Sequence, residues 1–123
     1  MNTPCPFCDP DKIIVENDLA FAIYDRYPVS HGHILVIPRR HFSDIFEATP
    51  DELRALSELT RRVREFVEEE YAPDGYNIGI NRGRAAGQSI MHVHIHFIPR
   101  YSGDRRDPKG GVRGVIPKKQ KYP

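Results

Sequence analysis

Three histidines alternate with apolar residues in the segment from Ser89 to Pro99. Alternation of polar and apolar residues has the period of a β-strand, in which successive side chains point to opposite faces. The pattern predicts a strand with His92, His94 and His96 on one face and apolar residues on the core side. Neighbouring histidine Cα atoms would stand about 6.5–7 Å apart, so two imidazoles could serve one metal ion or one phosphate. This clustering favours a functional site over a strand whose histidines are merely solvated.

The elements that must position this strand are visible in the rest of the sequence. Four further runs have the length and composition of strands, at residues 13–15, 19–24, 33–38 and 76–81. A helix start follows the third run, where Thr49 can cap, Pro50 suits the first helical position and Glu52 completes a capping box. Apolar residues then recur at helical spacing to about Tyr71. The prediction is an α+β domain with a mainly antiparallel five-stranded sheet packed against one long helix.

The histidine segment resembles the signature of histidine triad (HIT) proteins, His-φ-His-φ-His-φ-φ with φ apolar. The flanking residues are similar too, because Gly87-Gln88-Ser89 leads into the triad and residues 32–38 read Gly-His-Ile-Leu-Val-Ile-Pro. The resemblance runs from about Cys5 to Tyr101. It implies a HIT-like fold, a homodimer and an enzyme that acts on nucleotides. The similarity is greatest to bacterial-type members with a zinc knuckle, near the nucleotide-binding, phosphoramidase branch.

Both cysteines of the chain lie in the segment Cys5-Pro6-Phe7-Cys8. A redox pair of this spacing normally follows a strand, and none is predicted before Cys5. A structural disulfide is disfavoured in a cytoplasmic chain, and a zinc knuckle needs two further ligands. HIT proteins with this knuckle use the positions of His41 and His92 as ligands. The resemblance therefore implies a structural zinc site of Cys5, Cys8, His41 and His92.

The resemblance also implies catalytic roles for the three triad histidines. The middle histidine of the family attacks phosphorus, which assigns the nucleophile to His94, and a backbone carbonyl near His92 holds its other ring nitrogen. His96 would contact the α-phosphate and the bridging atom and so favour departure of the leaving group. The implied reaction is cleavage at the α-phosphorus of a nucleoside 5′-phosphate derivative through a nucleotidyl-His94 intermediate.

Five further residues are implied as substrate contacts. Asp25 would accept hydrogen bonds from the ribose hydroxyls, although an aspartate there is equally typical of a turn. His33 would lie near the α-phosphate, and Gln88 and Ser89 would donate hydrogen bonds to its oxygens. Asn81 favours the branch that cleaves nucleoside phosphoramidates, because the branch that cleaves dinucleoside polyphosphates typically has Gln at this position. The expected substrate is a purine nucleotide.

Three other functions stay open from the sequence. One is hydrolysis of a dinucleoside polyphosphate, of the diadenosine tetraphosphate type, at the same site. The second is a metalloenzyme in which all three triad histidines bind a catalytic zinc ion. The third is a nucleotide-binding module with little catalysis, since a fold and a pocket do not ensure a useful rate.

Length and charge narrow the class of protein. The 123 residues suit one domain, which we assign as a HIT domain at 1–101 and a basic Gly/Pro-rich tail at 102–123. From residue 103 onward seven basic residues stand against two acidic ones, whereas the whole chain has a net charge of only +1. Duplex nucleic acid is not an expected partner of so weakly charged a body. No apolar run approaches the roughly 20 residues that cross a bilayer, so we expect no membrane partner and a cytoplasmic location.

Overall fold

Alternating apolar strands and one capped helix give the chain its two layers. The computed structural model describes residues 5–123, in which five strands form one antiparallel sheet with the order β1-β2-β3-β5-β4. The strands and the helix have these bounds: β1 Val15–Glu16, β2 Ala20–Tyr24, β3 Ile34–Pro38, α1 Pro50–Tyr71, β4 Gly75–Ile80 and β5 Ile95–Arg100. The predicted fold class is confirmed. None of the helices in the described part of the chain combines the length and apolar composition that crossing a bilayer requires.

Helix α1 begins where its local signals predict. The Thr49 hydroxyl accepts a hydrogen bond from the Glu52 backbone N–H, and the Glu52 carboxylate accepts one from the Thr49 N–H. The apolar side of the helix packs on one face of the sheet and forms the main core, whose buried members are Ala20, Ala22, Ile34, Val36, Leu56, Leu59, Val63, Val67 and Phe97. This packing leaves the opposite face of the sheet for the histidines.

We expect Glu52→Ala to lower the free energy of unfolding by about 1–3 kcal/mol. The buried carboxylate accepts hydrogen bonds from the Arg40 guanidinium and the Thr49 N–H, and both donors would lose their acceptor. The pKa of Glu52 is lowered from its ordinary 4.5, most by the hydrogen bond from Arg40 and less by the one from the Thr49 N–H. The contribution of Glu52 to the free energy of unfolding is therefore present above about pH 4.5 and is lost as the pH falls toward the lower pKa of the folded state. Urea unfolding near neutral pH and again in acid measures both effects.

Glu58→Ala is the matched control, because Glu58 is exposed on the same helix. It should change the free energy of unfolding by no more than about 0.5 kcal/mol. Equal losses in the two variants would mean that helix propensity, rather than the cap and its ion pair, accounts for the Glu52 effect.

The predicted strand from Ser89 to Pro99 is wrong in its first half. The regular strand begins at Ile95, so only His96 of the triad lies within β5. The Val93 N–H donates to the Phe42 carbonyl, so the segment ahead of β5 bonds to the loop that follows β3. An alternating pattern is compatible with any extended segment that has one buried side. Here Val93 is still buried, and Phe97 enters the core as predicted.

The segment after β5 turns back beside β4. It contains two short 3-10 helices, Gly111–Val115 and Pro117–Lys119, and no strand. A turn-rich segment was expected, but the burial of Gln120 was not. The first four residues of the domain assigned to 1–101 lie outside the described residues.

Candidate active site and metal centre

Cys5, Cys8, His41 and His92 converge at one end of the sheet. The His92 Nδ1 lies 3.3 Å from the Cys5 Sγ, 3.7 Å from the Cys8 Sγ and 3.2 Å from the His41 Nδ1. The Cys8 Sγ lies 3.2 Å from the His41 Nδ1. Tetrahedral zinc, with bonds of about 2.3 Å to sulfur and about 2.0–2.1 Å to nitrogen, would hold its ligand atoms about 3.3–3.8 Å apart. The four side chains fit a zinc ion.

The tautomer of His92 also suits a metal ligand. Its Nε2 lies 2.7 Å from the Pro38 carbonyl oxygen, which can only accept, so Nε2 carries the hydrogen. The Nδ1 lone pair is then directed at the two cysteines. Because His92 is completely buried and burial lowers its pKa, the ring is held in the neutral form that a metal requires. The Pro38 carbonyl acts as the outer partner that metal-bound histidines usually have.

His94 is held as the opposite tautomer, with its hydrogen on Nδ1. Its Nδ1 lies 2.8 Å from the backbone carbonyl oxygen of His92, so Nδ1–H donates and Nε2 keeps its lone pair. The Phe7 ring, in the knuckle, packs at an angle against the His94 ring, with 5.1 Å between ring centroids. His94 is therefore a preoriented imidazole with a free lone pair, and the residue that orients it is also a zinc-type ligand.

His96 belongs to a second hydrogen-bonded group, with His33 and Asp25. The Val29 N–H donates to His33 Nδ1 at 3.1 Å, which places the hydrogen of His33 on Nε2. That Nε2–H faces His96 Nδ1 at 3.0 Å, with an Asp25 oxygen 3.4 Å away. His96 Nδ1 consequently accepts, and its own hydrogen is on Nε2. Since burial lowers the pKa of both histidines, the pair is neutral near neutral pH and His96 presents a donor.

The three triad histidines face three different partners, which disfavours a catalytic zinc bound by all three. His92 is turned to the cysteines, His94 to a carbonyl and His96 to His33. Asp25, His33 and His96 are close enough to hold an ion by distance alone. However, His33 Nε2 carries a hydrogen because Val29 occupies Nδ1, so that nitrogen has no lone pair for a metal.

The expected substrate contacts lie in different environments. Ser89 is exposed, and Asn81 directly follows β4. The Asp25 side chain has 16 % of its surface exposed, and its other oxygen accepts from the Tyr27 N–H at 2.8 Å. Asp25 thus lies beside the His33 Nε2–H in this structure, with a limited exposed area toward a ribose.

Gln88 differs from the expectation. Its side-chain NH₂ donates to the Ser43 and Ile90 carbonyls, and its oxygen accepts from the Gly83 N–H. With its amide hydrogens already bonded and the side chain buried, Gln88 shapes the loop and does not offer a donor to phosphate. Ser89 is the neighbouring residue whose side chain is accessible.

Comparison with known proteins decides the family. A family model described as the HIT domain matches residues 8–103. The chain belongs to the HIT family. An uncharacterized HIT-like protein of Methanocaldococcus jannaschii is 39% identical over 118 residues, covering 90% of this chain and 91% of that protein.

Two HIT relatives with named activities are more distant. Adenylylsulfatase HINT3 of Arabidopsis thaliana is 34% identical, with 85% of this chain and 56% of that protein covered. AP-4-A phosphorylase of Mycobacterium tuberculosis is 32% identical, with 75% and 48% covered. Among solved structures, a zinc-bound histidine triad family protein of Mycobacterium smegmatis superimposes with a TM-score of 0.73 at 36% identity. That match covers 85% of this chain and 83% of the other.

Proposed function

We propose that this HIT protein hydrolyses nucleoside 5′-phosphate derivatives at the α-phosphorus. The observation that carries the proposal is the opposite tautomer of two neighbouring histidines. His94 presents a lone pair on Nε2, and His96 presents a hydrogen on Nε2. A displacement at phosphorus needs one nucleophile and one group that assists the leaving atom, and these two rings supply one of each.

The proposed reaction has two balanced steps. In the first, a bond forms between His94 Nε2 and the α-phosphorus while the bond from phosphorus to the leaving atom breaks. The neutral His96 donates a hydrogen bond from Nε2–H to the leaving atom, which takes its proton from a water molecule and leaves hydroxide. In the second, a water oxygen bonds to phosphorus, the nitrogen–phosphorus bond breaks and the proton released by this water neutralises the hydroxide. The products are the free leaving group and a nucleoside monophosphate. The Ser89 hydroxyl, which is exposed and close in sequence, is proposed to contact the phosphate oxygens.

The nucleoside has an apolar surface available beside His94. A second cluster on this face of the sheet has Phe7, Phe21, Leu35 and Ile37 as its buried members. The half-buried Ile13, Ile23 and Ile90 pack against them and form the accessible part of the cluster. An apolar floor next to a polar reactive group suits a purine nucleoside. We propose that the base lies on this cluster and that the remaining exposed part of Asp25 accepts a hydrogen bond from the ribose.

The identity of the leaving group is a finer part of the proposal. Asn81 favours an amine, and therefore a phosphoramidate substrate, but it is a single residue. The names of the two relatives refer to adenylyl sulfate and to AP-4-A, which supports an adenylyl compound as the substrate. These two names do not agree on a leaving group. A dinucleoside polyphosphate is the second candidate, supported by the relative that is named for AP-4-A.

Release of AMP tests the proposal. Adenosine 5′-phosphoramidate and diadenosine tetraphosphate are incubated separately with the protein, and AMP is measured by HPLC. Faster release from the phosphoramidate would support the preference argued from Asn81, and the reverse would assign the protein to polyphosphate hydrolysis. Nucleotide binding by calorimetry without AMP release from either compound would refute hydrolysis and favour a binding module.

We expect His33→Phe to lower kcat for AMP release by about 10-fold with little change in KM. The phenyl ring keeps the volume but removes the donor to His96 Nδ1, so the hydrogen of His96 can move to the wrong nitrogen. The imidazole ¹⁵N chemical shifts of His96 give an independent measurement, because they report which nitrogen carries the hydrogen. His31→Phe is the control, since His31 is an exposed histidine of the same loop. Unchanged His96 shifts in His33→Phe would exclude this positioning role.

The metal, the assembly and the location complete the proposal. The ligand distances and the zinc-bound relative support a structural zinc ion at Cys5, Cys8, His41 and His92. A homodimer is supported by the edge strand β4, whose outer side is unpaired among residues 5–123 and carries the exposed Ile78 and Ile80. We retain the cytoplasmic location and the boundary after residue 101 as parts of the same proposal.

A further inference from the structure

Phe7 lies between the two cysteines of the N-terminal knuckle and points away from solvent. Only 5% of its surface is exposed, whereas its neighbours Pro6 and Cys8 are exposed. The Cys8 N–H donates to the Cys5 carbonyl at 3.3 Å, which closes the knuckle into a turn. The turn therefore brings its two thiols to the candidate zinc ligands and its aromatic ring to the sheet.

The Phe7 ring contacts two of the three triad histidines. Its centroid lies 5.1 Å from that of His94, with 62° between the ring planes. The His92 centroid is 5.9 Å away, with 81° between the planes. Both distances lie in the range of about 4.5–7 Å that is typical of tilted aromatic pairs. The ring also packs in the buried cluster with Phe21, Leu35 and Ile37, so the sheet holds it in place beside the proposed nucleophile.

His94 needs such a neighbour, because one hydrogen bond does not determine the orientation of an imidazole. The His94 Nδ1–H donates to the His92 carbonyl at 2.8 Å, which fixes the tautomer and one point of the ring. The last torsion of a histidine side chain is broad, so the ring can still tilt about that point. Attack requires the Nε2 lone pair to be aligned with phosphorus, and an error of about 1 Å in position can lower a rate about 10²-fold. A packed ring beside His94 supplies the missing restraint.

Phe7 is the neighbour of His94 that has no other part in the proposed reaction. Within residues 5–123, the rings next to His94 are those of Phe7 and His96, each 5.1 Å away between centroids. His96 faces the leaving atom. The burial of Phe7 keeps it from the nucleotide, whose base is proposed to lie against the half-buried isoleucines of the same cluster. A change at Phe7 should therefore alter the geometry of attack and leave nucleotide binding largely unchanged.

We propose that Phe7 is a positioning residue, whose ring holds the His94 imidazole in the orientation for attack. Phe7 acts through His94 and does not contact the substrate. Because it stands between two candidate zinc ligands, the ligands that fix the knuckle also fix the backbone of Phe7. The inference deepens the proposed function and rests on it, because the ring that Phe7 orients is the proposed nucleophile.

Phe7→Leu tests the restraint against Phe97→Leu. Leucine keeps an apolar side chain in the cluster but removes the flat ring beside His94. Phe97 is 1% exposed and lies in the main core, so Phe97→Leu removes a similarly buried ring from the opposite face of the sheet. AMP release is measured with the adenylyl substrate that wild-type protein cleaves faster. For Phe7→Leu we expect kcat to fall about 10-fold or more with KM within about 2-fold, and for Phe97→Leu both constants within about 2-fold.

The imidazole ¹⁵N chemical shifts of His94 report its state without turnover. In wild-type protein they should show a single tautomer with the hydrogen on Nδ1. In Phe7→Leu the ring is free to leave the His92 carbonyl, so the shifts should move toward those of a mixture of the two tautomers. Phe97→Leu should keep the wild-type shifts, and elemental analysis should find the same zinc content in all three proteins.

Unchanged His94 shifts in Phe7→Leu, or an equal fall of kcat in the two variants, would overturn the positioning role. A rise in KM without a fall in kcat would place Phe7 against the nucleotide and overturn it as well. Loss of zinc from Phe7→Leu would attribute the effect to the metal ligands and overturn the direct contact. If wild-type protein releases no AMP from any substrate, the proposed function fails. The restraint on His94 then stands only if its shifts move in Phe7→Leu and not in Phe97→Leu.

Discussion

His94→Asn is expected to lower AMP release by about 10⁴-fold or more while AMP still binds. The substitution removes the nitrogen lone pair that attacks phosphorus, and asparagine cannot form the nucleotidyl intermediate. The apolar cluster and the loop before the triad, which are proposed to hold the nucleotide, do not depend on the imidazole. AMP binding measured by calorimetry should therefore stay within about 3-fold of the wild-type value.

Two measurements make the His94 result specific. His31→Asn is the matched control, because it removes an exposed imidazole from another part of the chain and should leave turnover unchanged. Rapid quenching and intact mass spectrometry should detect one nucleotidyl group on wild-type protein and none on His94→Asn. Turnover retained by His94→Asn would contradict the role of His94 as nucleophile. An adduct on another histidine would show that the other histidine is the nucleophile.

Local sequence signals predicted the helix more accurately than the reactive strand. Thr49 and Glu52 bond to each other's backbone, so the start of α1 is determined by residues three apart and can be identified without the fold. The residue at which β5 begins depends instead on a contact between Val93 and Phe42. Alternation predicted the buried side of this segment but could not show where regular strand pairing starts.

The residue types of the site were predicted from the sequence. The family resemblance also implied the backbone carbonyl that orients His94, whereas the orientations of His92 and His96 were not predicted. The histidine pattern and the family resemblance identified Cys5, Cys8, His41 and His92, which the fold brings together. The tautomers, however, depend on the backbone carbonyls of Pro38 and His92 and on the Val29 N–H. Every residue has such backbone groups, so no residue type indicates them. For Gln88 the residue type was misleading. Its side chain could hydrogen-bond a phosphate, but its amide is already bonded to backbone groups of Gly83 and Ser43.

The candidate zinc ligands and the proposed reactive histidines are linked through one residue. His92 offers Nδ1 to the cluster of cysteines and, through its backbone carbonyl, accepts from His94 Nδ1. A change that displaces His92 should therefore also free the His94 ring to change its orientation. The metal centre would act on catalysis by position alone, without contact with the substrate.

Removal of zinc is expected to unfold the protein, with loss of activity accompanying loss of structure. Structural zinc contributes about 10–16 kcal/mol of apparent binding free energy in zinc-finger peptides, whereas a domain has about 5–15 kcal/mol of stability in total. We expect one zinc ion per chain by elemental analysis, and a lower melting temperature after chelation or in Cys8→Ser. Asp9→Asn, at an exposed neighbour that is not in the ligand cluster, is the control and should retain zinc and melting temperature.

The order in which signals disappear distinguishes a structural from a catalytic zinc ion. If the zinc ion is structural, circular dichroism and AMP release should decline together during chelation, and added zinc should restore both. A catalytic ion would allow activity to vanish while the dichroism and melting temperature stay unchanged. The orientation of His92 makes the first outcome the expected one, because its buried ring joins Pro38, the two cysteines and His94. A chain that lacks zinc and keeps its melting temperature would show that these contacts suffice without the metal.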